Sequence, residues 1–175
     1  MLWILTGPSG AGKKTLQHIL CRRYPALCTP IIPYTARDPC AHERHDIDFY
    51  FVTPALFQQY TNTPRFFTEV YTHKGHTYGI NLTRYRDPTK VTLCILTPAG
   101  CERARQYNQP NLIFGITAPL QSLLQRLIHP NVQQLIRAQH YLEQAQIIRI
   151  LNADGQSNAA CDAIIAYFCQ RLLTT

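Results

Sequence analysis

The hydrophobic pattern of the chain alternates short apolar runs with stretches of helical spacing. Apolar runs without strict polar alternation are typical of strands that are buried on both faces of a parallel sheet. The pattern predicts strands at Leu2–Leu5, Thr29–Thr35, Val91–Leu96, Leu112–Ile116 and Ile147–Leu151.

Between these strands, apolar residues recur at the spacing of amphipathic helices. One helix is predicted from about residue 120, capped by Thr117-Ala118-Pro119, and others over residues 13–24, over 132–145 and at the C-terminal end. The alternation predicts an α/β fold, with a parallel sheet flanked by helices and joined by right-handed crossovers. The inward-facing positions of two of these helices are Leu120, Leu123, Leu124, Leu127 and Ile128, and Cys161, Ile164, Phe168 and Leu172.

The middle of the chain has a different pattern. Phe49–Val52 is a short aromatic strand, and Thr53-Pro54 begins a helix that runs to about Tyr60. Phe66–Tyr71 and His76–Ile80 are predicted to form a hairpin around Lys74-Gly75. These elements predict a small lobe over about 34–82, inserted in a core of residues 1–33 and 83–175.

The segment after the first strand carries a strong chemical signal. Residues 7–13 have the Gly-x-x-x-x-Gly-Lys spacing of a phosphate-binding loop between a strand and a helix. The backbone N–H groups of such a loop, the positive end of the helix and the lysine ammonium all attract phosphates. The motif predicts a P-loop NTPase-type sheet that binds ATP, with nucleotide-binding residues Gly7, Ser9, Gly10, Ala11, Gly12, Lys13, Lys14 and Thr15.

One position of the loop departs from the motif. A hydroxyl normally follows the lysine and ligates the Mg²⁺ of the nucleotide, but Lys14 holds this place and the hydroxyl comes one residue later, at Thr15. Three interpretations stay open. Lys14 points away and Mg²⁺ is held mainly by phosphates and water, its ammonium partly substitutes for the metal, or the loop no longer transfers phosphate.

Composition and charge limit the classes of ligand and the cellular location that we expect. The 175 residues, 46% of them apolar, are expected to form one domain, and the formal charge of +7 suits either a polyanionic ligand or an unspecific basic surface. The sequence has no lysine run, which argues against a nucleic-acid platform, and no Cys-x-x-Cys pair among its seven cysteines, which argues against zinc and disulfides. Without an apolar run of ~18 residues or a leading signal segment, we expect a cytoplasmic monomer or homodimer with no membrane association.

Three segments, together with the phosphate loop, resemble the guanylate kinase family: residues 35–52, Phe66-Phe67-Thr68-Glu69 and Gly75-His76-Thr77-Tyr78-Gly79. The first matches the family pattern T-T-R-x-P-R-x-G-E-x-x-G-x-D-Y-x-F-V at Arg37, Pro39, Glu43, Asp48, Phe51 and Val52. The resemblance implies that Arg37 and Tyr78 bind the acceptor phosphate, with Glu43 in the same substrate site and Gly79 allowing close approach. It also implies that Glu69 accepts hydrogen bonds from the N–H edge of guanine.

Independently of the resemblance, two simpler alternatives stay open. Glu69 pairs with a surface lysine, or Tyr78 is an ordinary aromatic residue of a strand.

The chain departs from the family at several positions. Cys40 replaces a second phosphate-binding arginine, Phe49 replaces a tyrosine, and Thr97-Pro98-Ala99 stands where the family has Asp-x-Asp, which serves the metal region and guanine. The lid has shrunk to about residues 128–134, which leaves Arg126 and Arg137 as catalytic candidates beside Lys13.

The resemblance implies ATP-dependent phosphoryl transfer to a small phosphorylated acceptor, GMP to GDP, with altered handling of Mg²⁺. A similar sister family, the ribose 1,5-bisphosphate phosphokinases, lacks the Asp-x-Asp and carries a stretch comparable to Asn152-Ala153-Asp154-Gly155, which makes Asn152 a further nucleotide-binding candidate. A catalytically inactive guanylate kinase-like binding module is the third possibility. The intact loop favours a kinase.

Overall fold

The architecture follows from one buried strand that leads into the phosphate loop. The computed structural model describes residues 1–73, 75–84, 89–106, 111–127, 131–144, 147–153 and 156–172. In chain order the elements are β1 (Leu2–Thr6), α1 (Lys13–Arg23), β2 (Cys28–Pro30), β3 (Tyr34–Thr35), β4 (Tyr50–Phe51), α2 (Pro54–Asn62), β5 (Glu69–His73), β6 (His76–Ile80), a 3-10 turn at Leu82–Arg84, β7 (Val91–Ile95), α3 (Pro98–Gln106), β8 (Asn111–Thr117), α4 (Leu120–Arg126), α5 (Val132–Gln144), β9 (Ile148–Leu151) and α6 (Ser157–Leu172).

The main sheet is parallel, as its unbroken apolar runs predict. Among the described residues it has five strands in the order β2-β7-β1-β8-β9, with β1 at the centre. A parallel pair needs a crossover connection, and the helices between successive strands supply it. The prediction of an α/β fold with a parallel sheet flanked by helices is therefore confirmed.

Both faces of the main sheet are covered by apolar side chains. Strand β1 sends Trp3 and Leu5 into a cluster with residues of α1 and α6, and it sends Leu2 and Ile4 into a second cluster on the opposite face. Each of these four side chains is at most 1% exposed. Burying a large apolar side chain contributes about 1.5–3 kcal/mol, so β1 is anchored from both sides and its C-terminal end is fixed in place.

A second, smaller sheet carries the middle of the chain. Its order is β4-β3-β6-β5, with β3 and β4 parallel and the other neighbouring pairs antiparallel. Aromatic rings stabilise it: Tyr60 stacks on Phe66 at 4.1 Å between ring centroids, and Tyr34 contacts both rings edge-on. The predicted hairpin is present as β5 and β6. The bounds of the inserted lobe, about 34–82, stay a prediction.

Two predicted details of secondary structure are wrong. The single strand predicted at Thr29–Thr35 is split, because β2 pairs with β7 in the main sheet whereas β3 pairs with β4 and β6 in the small one. Pro30 and Pro33 lack the N–H that a continuous ladder requires, and the chain passes from one sheet to the other between them.

The predicted cap of α4 is the second detail. Thr117 belongs to β8 and does not cap α4. The N-cap of α4 is Pro119, which makes no side-chain hydrogen bond to the helix.

The shortened lid lies only partly within the described residues. Helix α4 ends at Arg126 and α5 begins at Val132, whereas residues 128–130 of the predicted lid at about 128–134 lie outside the described part of the chain. Within the described ranges, no helix combines the length and the apolar character that crossing a membrane requires.

The packing of the main sheet gives a test of its energetics. Leu93 on β7 is fully buried, whereas Leu151 on β9 is 58% exposed. We expect Leu93→Ala to lower the free energy of unfolding by about 2–5 kcal/mol, because it leaves a cavity in the core, and the matched Leu151→Ala to change it by less than about 1 kcal/mol. Urea denaturation of both variants measures the difference. Equal losses would contradict the assignment of β7 to the interior of the sheet.

Candidate active site

The loop between β1 and α1 is built around glycines with positive φ angles. At Gly7, φ is 135°, and an added Cβ would lie 2.1 Å from the carbonyl oxygen of Ile116 on β8. At Gly12, φ is 85°, and a Cβ would lie 2.3 Å from Nδ2 of Asn152. Both positions therefore require glycine for conformation and for space. The loop packs directly against β8 and the end of β9.

Lys13 is folded back onto its own loop. Its Nζ donates hydrogen bonds to the carbonyl oxygens of Gly7 at 2.8 Å and Pro8 at 2.7 Å. Burial of the ammonium lowers the pKa of Lys13 from 10.5 to about 8. The side chain is positioned at the anion site, and a bound phosphate would favour its protonated form.

Asn152, the residue after β9, holds the loop in place by direct contact. Its Nδ2 donates to the carbonyl of Ala11 at 2.8 Å, and its Oδ1 accepts a hydrogen bond from Ser157, the first residue of α6, at 3.3 Å. Asn152 is only 2% exposed. The amide group predicted to bind nucleotide is thus engaged in holding the loop. Asp154 and Gly155, which complete the motif used for the sister family, lie outside the described residues.

Further cations lie along the same cleft, which has a volume of about 1280 Å³. Arg126 donates from Nη1 to the carbonyl of Gly10 at 2.9 Å, which places the end of α4 directly against the loop. Arg137 of α5 and Lys14 of α1 also line the cleft, and Lys14 is exposed. Four cationic side chains, Lys13, Lys14, Arg126 and Arg137, therefore line the cleft.

Glu69 reaches the cleft from the small sheet, at the first residue of β5. It is 3% exposed, and its partner is Thr97, the residue before α3. The backbone N–H of Thr97 donates to Oε2 at 3.0 Å, and the Thr97 hydroxyl donates to Oε1. The same hydroxyl accepts a hydrogen bond from the backbone N–H of Gly100 at 3.2 Å. Glu69 thus ties the small sheet to the N-terminus of α3.

The sequence reasoning missed this role of Thr97. Threonine before a proline is a helix-capping signal, which could have indicated its contact with the N-terminus of α3. The contact with Glu69, which is 28 residues away in the chain, has no signal in the sequence. The alternative in which Glu69 pairs with a surface lysine is wrong, because the Glu69 carboxylate is buried against Thr97 and Gly100.

Arg37 and Glu43 form a closed pair. Nη1 and Nη2 of the arginine each donate to one carboxylate oxygen, both at 2.6 Å, and Nε donates to the hydroxyl of Tyr78 at 3.1 Å. The guanidinium also lies over the ring of Phe49, 4.9 Å from its centroid. The hydrogen bonds from Arg37 lower the pKa of Glu43 to about 2 and raise the pKa of Arg37 above its ordinary value. Both groups therefore stay charged at neutral pH.

Not all of the predicted substrate residues face the cleft. Tyr78 lines it, with its ring stacked on Tyr71 at 5.3 Å between centroids. Gly79 does not line it, because the space where its Cβ would stand holds the ring of Phe67, 2.5 Å away. The glycine therefore permits packing of Phe67, and this differs from the predicted close approach of a substrate. Arg37, Glu43 and the fully buried Ala11 are likewise absent from the lining.

The structure brings most of the predicted site residues to one cleft. The predicted residues that line it are Gly7, Ser9, Gly10, Gly12, Lys13, Lys14, Thr15, Glu69, Tyr78, Arg126, Arg137 and Asn152. A phosphate-binding loop at the carboxyl end of a parallel sheet, facing a small mixed sheet across a cleft, defines a P-loop α/β protein with a separate lobe beside its anion site.

Comparison with known proteins identifies the family within this class. The family model for guanylate kinase matches residues 1–145, which is most of the chain. The chain belongs to the guanylate kinase family, and the family predicted from the sequence is confirmed. A solved guanylate kinase from Anaplasma phagocytophilum superposes with a TM-score of 0.69, covering 98% of this chain and 85% of that one, at 15% identity. At that identity the superposition supports the fold alone.

The relatives found by sequence match only part of this chain and part of their own length. Guanylate kinase from Chlamydia trachomatis is 29% identical over 131 residues, which is 73% of this chain and 63% of that protein. Guanylate kinase from Fusobacterium nucleatum is 30% identical over 130 residues, covering 72% and 69% respectively. A mouse leucine-rich repeat and guanylate kinase domain-containing protein is 32% identical over 78 residues, only 9% of its length. The chain thus spans less than two thirds of the length of the mouse and Chlamydia trachomatis relatives.

The lowered pKa of Lys13 predicts how anion binding depends on pH. Above about pH 8 the free protein loses the Lys13 ammonium, so ADP should bind about tenfold more weakly at pH 9 than at pH 7. Lys13→Met should bind weakly at both pH values and show little dependence on pH. Calorimetry measures both, with Lys90→Met as the matched control that keeps the dependence. An unchanged affinity for ADP in Lys13→Met would contradict the role of this residue.

Proposed function

We propose that this protein transfers the terminal phosphoryl group of ATP to a small phosphorylated acceptor, and that the acceptor is GMP, which becomes GDP. The observation that carries the proposal is the shared cleft, lined at one end by the phosphate loop and at the other by Glu69 and Tyr78. Membership of the guanylate kinase family supports the same reaction.

The nucleotide end of the cleft supplies positioning and charge. Phosphoryl transfer needs no protein nucleophile, so its rate depends on the alignment of donor and acceptor and on neutralising the charge of the transferred group. In this proposal Lys13 exchanges the carbonyls of Gly7 and Pro8 for phosphate oxygens. Arg126 and Arg137, which line the same cleft, neutralise the transferring group.

The acceptor end is proposed to recognise a purine with two adjacent N–H donors. A carboxylate offers about four lone-pair positions, and Thr97 engages one on each oxygen of Glu69 through its N–H and hydroxyl groups. The remaining lone pairs can accept the N–H edge of guanine. The stacked rings of Tyr71 and Tyr78, which both line the cleft, offer an apolar wall for the base.

The acceptor phosphate has fewer partners in this chain than in the family pattern. Four of the five N–H groups of Arg37 are engaged, two by Glu43 and one each by Tyr78 and the carbonyl of Asp38. Arg37 therefore binds a phosphate only by sharing or exchanging these partners. Glu43 acts in this proposal by holding Arg37, and the Tyr78 hydroxyl provides the contact nearest the cleft.

Handling of magnesium is altered in this proposal. Lys14 stands at the position where the family has a ligand hydroxyl, and Thr97 stands where it has a carboxylate. If Mg²⁺ accompanies ATP, its ligands come mainly from the phosphates and from water. The closed Arg37–Glu43 pair and these two replacements are the observations that favour the second candidate, an inactive guanylate kinase-like binding module.

A turnover assay, combined with a measurement of peptide binding, separates the candidate functions. Release of ADP from ATP is measured with GMP, with ribose 1,5-bisphosphate and without acceptor. Turnover with GMP supports the proposal, and turnover with ribose 1,5-bisphosphate instead assigns the chain to the sister activity. No turnover with either acceptor, together with tight binding of a phosphorylated peptide, would show that the fold serves as a binding module.

Glu69 gives the sharpest test of the acceptor. Adenine cannot donate two N–H groups to the carboxylate, so a buried acceptor loses its partner at a cost of about 1–3 kcal/mol, and GMP should bind ~5–150-fold more tightly than AMP. Glu69→Gln should bring the ratio of GMP affinity to AMP affinity closer to one, because the amide offers one donor and one acceptor.

Equilibrium binding of both nucleotides measures the ratio. Glu143→Gln, the same change at an exposed residue of α5, is the matched control and should leave it unchanged. Equal binding of GMP and AMP by the unmodified protein would rule out guanine as the recognised base.

A further inference from the structure

The cleft that contains the phosphate loop is lined by four cationic side chains: Lys13, Lys14, Arg126 and Arg137. Two of them are fixed against the loop itself, since Lys13 donates to the carbonyls of Gly7 and Pro8 and Arg126 donates to that of Gly10. Lys14 follows Lys13 in the first turn of α1 and is exposed to the cleft. An anion bound over the loop therefore meets a set of charges that is already assembled.

Oxygen ligands for a metal are scarce at the same place. Among the described residues that line the cleft, the carboxylates are Asp48 and Glu69, and both belong to the region of the small sheet. The carboxylate of Glu69 is engaged by Thr97, and Asp48 accepts a hydrogen bond from the backbone N–H of Arg44 at 2.8 Å. No group of three or more potential metal ligands occurs among the described residues. The protein side chains do not fit a resident Mg²⁺, whose preferred ligands are oxygens.

The hydroxyl of Thr15 does not restore the missing ligand. Successive side chains of an α-helix point about 100° apart, because the helix has about 3.6 residues per turn. Thr15 also lines the cleft, but it follows Lys14 in α1, so its side chain leaves the helix about 100° from the direction in which the motif places the ligand. That direction is taken by an ammonium, which repels a divalent cation.

We propose that the loop binds the polyphosphate of a nucleotide preferentially as the metal-free anion, with the Lys14 ammonium supplying positive charge where the family motif places a metal ligand. The inference rests on the proposed function only in that the loop holds a nucleotide. It adds the form in which the nucleotide is recognised.

Charge explains the preference. Mg²⁺ cancels part of the negative charge of a polyphosphate and occupies oxygens that would otherwise accept hydrogen bonds. In a site lined by ammonium and guanidinium groups, this weakens the attraction and removes charge-assisted hydrogen bonds. A hydroxyl at position 14 would reverse the balance, because it would ligate the metal instead of competing with it.

The test is calorimetry of ADP binding at one ionic strength, in EDTA or in excess MgCl₂. Metal-free ADP should bind about tenfold more tightly than its magnesium complex, the equivalent of one charged hydrogen bond. Lys14→Ser should remove or reverse this preference for metal-free ADP. Lys90→Ser, the same change at a lysine outside the cleft lining, should preserve the preference. Inorganic tripolyphosphate, which has no base, should show the same preference as ADP.

Each other outcome overturns the inference. Equal or tighter binding of magnesium ADP to the unmodified protein would show that the metal is accepted, and an unchanged ratio in Lys14→Ser would show that this residue is not responsible. Failure of ADP to bind under both conditions would remove the nucleotide site itself. Because no acceptor is present, a separate failure to bind GMP would defeat the proposed acceptor and leave this inference standing.

Discussion

The anion site depends on how the carbonyl groups of the phosphate loop are restrained. A carbonyl directed at a phosphate would repel it, so an anion-binding loop needs donors for its carbonyls from elsewhere in the protein. Arg126 supplies a donor for Gly10, and the buried amide of Asn152 supplies one for Ala11. Lys13, which belongs to the loop itself, donates to the carbonyls of Gly7 and Pro8 while no phosphate is bound. The two outside donors come from α4 and from the residue after β9, so the loop conformation depends on correct packing of the main sheet.

The recognition groups on the small sheet are also satisfied within the protein. Arg37 is paired with Glu43 and Tyr78, and Glu69 with Thr97. In the proposed function, a phosphate that binds Arg37 exchanges one set of hydrogen bonds for another, with a net gain per bond of about 0.5–1.5 kcal/mol, whereas Glu69 keeps Thr97 and offers its remaining lone pairs. Selectivity in such a site arises chiefly from substrates that leave a buried group unpaired, because that penalty is not offset.

The sequence predicts the parts of this structure that depend on local patterns. The apolar run at Leu2–Leu5 and the glycine spacing after it correctly predict β1 and the loop, because burial and backbone conformation leave few alternatives. The division of residues 29–35 between two sheets was not predictable from hydrophobicity, since the apolar residues Ile31 and Ile32 continue across the break at the prolines. The Glu69–Thr97 contact was missed because it is tertiary. Gly79 was assigned to the substrate site by the family resemblance, and its contact with Phe67 has no local signal in the sequence.

The departures from the family pattern around the cleft change the charge in one direction. Thr97 removes a carboxylate from the metal region, and Lys14 adds an ammonium beside the loop. In the family pattern a carboxylate and a hydroxyl accompany a divalent cation, whereas here an ammonium accompanies the uncharged Thr97 and, in our inference, no metal. The net formal charge offered to the polyphosphate is the same in both arrangements, although it is carried by different groups. In our inference, either replacement alone would change the charge around the phosphates, and the two replacements together with loss of the metal conserve it.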